Sequence, residues 1–449
     1  MIIIKNGILV RDTQFQADLA IEGQVIIKIA DTIEPGPDDT VIDAAGCFVF
    51  PGFIDAHTHF QMTNSITTTA DSFETGTKAA VIGGTTTIIN FASPVKGGSL
   101  RTAYDQSMQK AEGNCSCNYR FHMEIIEFSD SIAKEIPLMP SLGVTSFKVY
   151  MAYDIRVDDE TIYKCLREIK KINGLLGAHC ENGDFLKART SELKALGDLT
   201  PAAHPKAHPP EAEAEAISRL AYIGKLAGYR VHVVHVSSAA GLAEIRKARS
   251  MGIRITAETC PQYLLLDESK YQLPGFESAK FVMSPPLRSK ADQAALLDAV
   301  RKGEIQTIAT DHCSYNFDTQ KSLGRDDFTR IPNGAPGVEH RVPLMYTRLV
   351  ESGLIPTTRF VELMSVNPAK MYHIYPQKGL LAEGSDADIV IYEKDGSHQV
   401  EAKTQTQHVD YTPYEGMTVQ GAVKHVLLGG IQVVKNGILI EPYKGRYVR

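Results

Sequence analysis

Apolar and polar positions along this chain follow two different periods, and the switches between them divide it. At the ends, short apolar runs flank Asn-Gly. "IIIKNGILV" opens the chain, "VVKNGILIE" comes near its close, and the pentapeptide KNGIL stands at both 5–9 and 435–439. Asn-Gly between two apolar runs is the strongest short hairpin signal, because both residues accept the positive φ of a tight turn. Two such hairpins, with the strand-like runs "CFVF", "ADIVIYE" and "VKHVLLGG", predict one small β domain built from both termini, over residues 1–51 and 378–449.

Between the ends, strand patterns alternate with helical ones. Candidate strands are 49–56, 85–91, 119–127, 145–151, 175–180, 230–236, 253–259 and 305–310. Amphipathic stretches such as "VDDETIYKCLREIKKIN" and "SKADQAALLDAVRKG" lie between them. Alternation of this kind predicts a parallel sheet, and eight strands predict an α/β fold of the (β/α)8 TIM-like barrel type, here over residues 52–377, with its chemistry at the C-terminal strand ends. Residues 184–208 read as an insertion after the fifth strand.

Composition narrows the function classes. The chain has 449 residues, 43% of them hydrophobic and 22% charged, with a formal net charge of -6. No basic stripe appears, so nucleic acid is not an expected partner. No run of about 20 apolar residues occurs, so no membrane span is expected, and "MIIIKNGILVRD" lacks the pattern of a signal peptide. Seven scattered cysteines without a framework point to free thiols and a cytoplasmic location.

One misfit brings in the chemistry. In "VTSFKVYMAY", residues 144–153, Lys148 interrupts a strand that otherwise fits the core. An ammonium taken out of water is costly unless it is paired or neutralised. A salt bridge, or snorkelling to the surface, is the simplest account. The neighbouring strand ends suggest another. "PGFIDAHTHF" places His57 and His59 on one face of the first strand. "LLGAHCENGD", "VHVVHVSS" and "TIATDHCSY" place His179, His235 and Asp311 at the ends of the fifth, sixth and eighth. His232, three residues before His235, is expected to face away. Imidazole and carboxylate suit zinc and other divalent first-row metals. A neutral lysine amine can add carbon dioxide, and the resulting carbamate offers one oxygen to each of two cations.

The chain resembles the cyclic amidohydrolases, and within them the dihydropyrimidinase and hydantoinase group. The resemblance runs in order through "GFIDAHTHF", "GTKAAVIGGTTTIINF", "SFKVYMAY", "GAHCENGD", "HPPEAEAEAISR", "VVHVSS", "ETCPQYLLLDES", "MSPPLR", "ATDHCSYN", "GRDDFTRIPNGAPGVEHR", "PQKGLLAEGSDADIVIY" and "YEGMTVQGA". It implies a β-sandwich from both chain ends, and two zinc ions in the barrel. His57, His59 and Asp311 would hold one ion, His179 and His235 the other, with carboxylated Lys148 as the bridge. Tyr153 would stabilise the oxyanion, and Asp311 would carry the proton from the attacking hydroxide to the leaving nitrogen. Backbone groups of Ser284 and Asn333 would hold a small cyclic amide substrate, with Met62, Asn64 and Tyr150 around its ring substituent. A homo-oligomer, tetramer or dimer, is implied as well.

The sequence departs from the family in the loops around that substituent. Asp154 follows Tyr153 where a lysine is common, and Asn64 stands where many relatives place an aromatic residue. Two alternatives to a hydantoin- or dihydropyrimidine-opening enzyme are an allantoinase or dihydroorotase and a non-catalytic structural relative. The expected ligands are all present, which disfavours the last.

Overall fold

The structure, a computed structural model, describes residues 1–440 and 445–449. Residues 441–444, which include the end of "VVKNGILIE" and part of the expected 378–449 segment, lie outside the described residues. The strands run, in chain order, β1 Ile2–Val10, β2 Gln14–Glu22, β3 Val25–Ala30, β4 Thr40–Asp43 and β5 Cys47–Pro51. The barrel strands follow: β6 Phe53–Thr58, β7 Thr85–Ala92, β8 Asn118–Glu124, β9 Ser146–Tyr150, β10 Leu175–His179, β11 Val231–Val233, β12 Ile255–Thr259 and β13 Thr307–Ile308. The chain returns with β14 Ile389–Gln399, β15 Thr418–Leu428, β16 Ile431–Lys435 and β17 Ile438–Leu439.

Strands β6 to β13 pair in sequence order and in parallel, which is the expected barrel. The seam between β6 and β13 closes through one backbone bridge, Thr58–His312, and through side chains. Arg341, fully buried, donates from Nη1 to the carbonyls of Ile54 at 2.8 Å and Ile308 at 3.0 Å. Asp55 accepts from the Thr310 hydroxyl at 2.6 Å. The cost of burying the Arg341 guanidinium is offset by those two carbonyls, by the Thr85 hydroxyl 3.0 Å from Nη2, and by the buried Asp55 carboxylate 3.9 Å from Nε. At the other end of the barrel, Val448 packs in one cluster with Ile54, Ala56, Leu175 and Tyr372.

Both chain ends enter one nine-stranded sheet, ordered β17-β16-β15-β14-β5-β1-β2-β3 with β4 beside β1. Alternating residues separate its two faces. Phe48, Phe50, Val390 and Tyr392 join the core shared with the barrel. Leu9, Val49, Ile389 and Ile391 pack instead with Leu19, Ile21 and Ile26, so the sheet folds over on itself into a second core.

Two expectations need correction. The Asn-Gly at 6–7 forms no hairpin. Asn6 has φ 62, but β1 continues through it, and the ladder to β2 slips between Ile4 and Gly7. The bulge marks where β1 changes partner, from β4 along Ile2–Lys5 to β5 at Ile8 and Leu9. At the other end, Asn436 and Gly437, with φ 51 and 75, do turn β16 into β17. The candidate strand 49–56 is two strands in two sheets, β5 and β6, divided at Gly52. A Cβ on Gly52 would strike the Thr86 side chain, so only glycine lets the chain cross there.

The main barrel helices start where the sequence provides caps. The Ser72 hydroxyl accepts from Thr75 N ahead of Phe73–Ile82, and Asp158 accepts from Thr161 N ahead of Asp159–Lys171. The insertion after β10 is itself helical, Gly183–Ala195 and His204–Ala207. Among the described residues, no helix is long and apolar enough to cross a membrane.

Candidate metal centre

The strand ends bring the six expected ligands together. Asp311 Oδ1 lies 3.2 Å from Nε2 of His57 and 3.1 Å from Nε2 of His59. Lys148 Nζ lies 3.3 Å from His57 Nε2. His179 Nδ1 faces His235 Nε2 at 3.0 Å. Donor atoms of His57, His235 and Asp311 all fall within 4.8 Å of one another. That trio includes His235, expected on the second metal, so the two expected ligand sets adjoin.

Backbone geometry aims these groups. β11 ends at Val233 and β13 at Ile308, before their functional residues. His235 then takes φ 38 and Asp311 φ 53, and Tyr153, after β9, takes φ 70. Left-handed backbone at a non-glycine residue costs about 1–3 kcal/mol and gathers where function requires it. The broken alternation also corrects the reading of His232. Its ring lines the same barrel interior as Lys148, with Nδ1 2.9 Å from the Thr256 hydroxyl. Burial lowers its pKa to about 3, so it is neutral.

Lys148 is 2% exposed, which rules out snorkelling. Among the described residues it makes no ion pair. Its Nζ sits 4.8 Å from the Phe91 ring centre and 4.9 Å from that of Tyr150. Burial lowers its pKa, against the pull of Asp311, Glu124 and Glu258. Desolvation thus favours the free amine, the form that can add carbon dioxide.

Carboxylates stand behind the histidines. Glu258 Oε1 is 2.8 Å from His57 Nδ1, and Glu181 Oε2 is 2.8 Å from His179 Nε2. Burial lowers the pKa of His57, with Lys148 adding to the effect. A neutral His57 that donates Nδ1–H to Glu258 presents the Nε2 lone pair to the centre. His179 presents Nδ1 by the same logic. The donor set of imidazoles, one carboxylate and a buried amine fits divalent metal.

Around this centre, Tyr153 is 38% exposed, with its hydroxyl 3.3 Å from Glu181 Oε2. Burial at that end, with the Glu181 charge, holds the phenol well above its ordinary pKa, so it remains a donor. Ser284 and Asn333 are partly exposed between buried neighbours. Their loops meet where Gly334 N donates to Val282 O at 3.1 Å. Met62 is partly buried on the loop after β6. Asn64 is engaged locally: its Nδ2 donates to Tyr315 Oη at 2.9 Å, and its Oδ1 accepts from Ile66 N and Thr67 N. The Tyr150 hydroxyl turns to Glu124 at 2.7 Å, which leaves only its ring for a substrate.

Sequence reasoning passed over Glu181 and Glu258. Glu181 stands two residues after His179, the spacing that joined His57 to His59. Glu258 is a charged residue in "ITAET", an apolar strand, and the argument applied to Lys148 would have found it.

The site can now be set beside known proteins. The Amidohydrolase family profile matches residues 48–433. A D-hydantoinase of Geobacillus stearothermophilus is 42% identical, covering 100% of this chain and 96% of its own. A D-phenylhydantoinase of Escherichia coli O81 (strain ED1a) is 38% identical, over 100% and 98%. Among solved structures, the dihydropyrimidinase from Brevibacillus agri NCHU1002 is 42% identical with a TM-score of 0.97, over 99% of this chain and 98% of that one. The L-hydantoinase from Arthrobacter aurescens is 29% identical with a TM-score of 0.89, over 98% and 97%. The chain belongs to the amidohydrolase family, in its hydantoinase and dihydropyrimidinase group.

Proposed function

We propose that this enzyme opens the ring amide of 5-substituted hydantoins and 5,6-dihydropyrimidines, giving N-carbamoyl amino acids. The carrying observation is the convergence of four histidines, one aspartate and an acid-free buried lysine at the mouth of the barrel. The chain's likeness over its full length to hydantoinases supports the ring chemistry. His57, His59 and Asp311 are proposed to hold one zinc ion, His179 and His235 a second, with N-carboxylated Lys148 between them. Zinc held by these residues would supply a water of lowered pKa and a Lewis acid for the substrate carbonyl.

The chain's own residues supply the rest. Asp311 accepts the proton of the attacking oxygen and returns it to the leaving ring nitrogen as the C–N bond breaks. Tyr153 donates to the carbonyl oxygen as it gains charge. Backbone groups of Ser284 and Asn333 hold the ring, and Met62 borders its substituent with the ring of Tyr150. Asn64, already engaged with Tyr315, shapes this pocket by holding its loop. The preference is proposed to be for D-enantiomers, since the D-enzymes named above are 38–42% identical and the L-enzyme 29%. The free thiols of all seven cysteines support a cytoplasmic setting. A homo-oligomer is proposed on the family resemblance alone.

The test is a panel on zinc-loaded protein: dihydrouracil, hydantoin, phenylhydantoin, allantoin and dihydroorotate side by side. Highest kcat/KM on a hydantoin or dihydropyrimidine is expected. Higher values on allantoin or dihydroorotate than on each of these would reject the assignment.

A further inference from the structure

Lys321 follows the eighth barrel strand by more than a dozen residues and was not expected to matter. It is fully buried, yet it has no carboxylate partner among the described residues. Its Nζ instead donates to three backbone carbonyls: Val282 at 2.7 Å, Pro332 at 2.8 Å and Gly334 at 2.7 Å. Burial lowers the Lys321 pKa to about 7, but three carbonyl acceptors match the three N–H donors of the charged form, which has no acceptor of its own.

The acceptors are not scattered. Pro332 and Gly334 flank Asn333, and Val282 lies two residues before Ser284. The neighbouring carbonyls of the Ser284 loop are also held by buried side chains. His204 Nε2 lies 2.8 Å from Met283 O, Tyr263 donates to Pro285 O at 2.7 Å, and Tyr271 donates to Phe281 O at 3.0 Å. Among the described residues, none donates to the carbonyl of Ser284 itself. On the other loop, Gly334 has φ 144, and a Cβ there would strike Cys313, two residues past Asp311. The two loops are thus pinned to each other and against the strand end that carries Asp311.

We infer that Lys321 is a positioning residue for substrate: its ammonium clamps the Ser284 and Asn333 loops together, so that backbone groups at these two residues meet the ring with fixed spacing. This rests on the reading of Ser284 and Asn333 given under Proposed function. A residue that fixes contacts made equally in the ground and transition states changes KM and leaves kcat nearly intact.

The test compares wild type with Lys321→Met and the milder Lys321→Arg, each checked for metal content. Steady-state kinetics on the best ring of the panel are combined with amide hydrogen exchange. In Lys321→Met, KM should rise about tenfold or more with kcat within about threefold, metal content should be unchanged, and amides of 282–287 and 332–337 should exchange faster. Lys321→Arg, which keeps the charge, should lie between and gives the same reading if the methionine variant does not fold. Unchanged exchange and unchanged KM would overturn the clamp. Faster exchange with unchanged KM would overturn the positioning role by removing Ser284 and Asn333 from substrate recognition. A fall in kcat that tracks metal loss would make Lys321 a support of the metal centre instead, and would also overturn the inference.

Discussion

The Tyr153 hydroxyl and Nε2 of His179 share one acceptor: Oε2 of Glu181 stands 3.3 Å from the first and 2.8 Å from the second. The other oxygen, Oε1, is 2.9 Å from His208 Nδ1. Glu181 is fully buried, and His208 and His179 keep its pKa low against the effect of burial. One charged carboxylate therefore holds both the His179 imidazole, proposed as a metal ligand, and the Tyr153 phenol, proposed to meet substrate. Glu181→Gln should lower metal affinity and kcat together, each by about 10 to 100-fold, the usual range for a group behind a metal ligand. Metal titration followed by kinetics at saturating zinc checks this. Wild-type values in both would leave Glu181 as a packing residue.

Tyr153→Phe should leave metal content unchanged and lower kcat by about 100-fold or more, with a smaller change in KM. The phenol helps only when the carbonyl oxygen carries charge, so its contribution belongs to the transition state. Its φ of 70 is a left-handed backbone, which under this proposal serves to place that hydroxyl. An unchanged kcat would show that the strain serves something else.

Lys148→Ala should remove most bound metal and activity at once. Among the described residues the amine makes no ion pair, and it lies beside the His57 imidazole and two aromatic rings. If it becomes a carbamate, intact-mass measurement under native conditions should show the added carbon dioxide and its loss on acidification. Full metal occupancy and normal turnover in Lys148→Ala would defeat the bridging role.

How much of this was legible in the sequence depended on whether a feature is local. The eight barrel strands could be read from their apolar runs, and the proposed ligands from their places at strand ends. Asn6-Gly7 misled because a positive φ serves a bulge as well as a hairpin, and only the partners of β1 decide between them. His232 misled because alternation holds only while the strand continues, and β11 stops at Val233. Lys321 could not be found at all. It lies in an ordinary polar loop, "NFDTQKSLG", and its three acceptors come from segments about 40 and 11 to 13 residues away.

Asp311→Asn should abolish turnover far more than it weakens folding. Burial pushes its pKa up, but the hydrogen bond to His59, with the other basic side chains around it, holds it below the ordinary carboxylate value. Asparagine is a poorer ligand and cannot accept the proton. A loss of about 100 to 10,000-fold is expected from the acid–base role alone. If the variant keeps full metal content and more than about a tenth of wild-type kcat, the base lies elsewhere.

The last prediction concerns charge on the ring. Dihydroorotate carries a carboxylate, which the dihydroorotases usually hold with an arginine two residues after the second histidine of His-x-His. In this chain that place is Gln61, with φ 52 and its backbone N–H donated to Asp71 O at 2.9 Å. An amide cannot present a bidentate charged fork to a carboxylate. Leaving that carboxylate buried and unpaired would cost about 3–5 kcal/mol, or a factor of about one hundred to several thousand in binding. Neutral rings carry no such cost. Dihydroorotate should therefore be turned over at least about a hundredfold less efficiently than dihydrouracil, and Gln61→Arg should narrow that gap from the dihydroorotate side. If wild type already accepts dihydroorotate as well as dihydrouracil, another cation reaches the ring, and Gln61 is not what sets the preference.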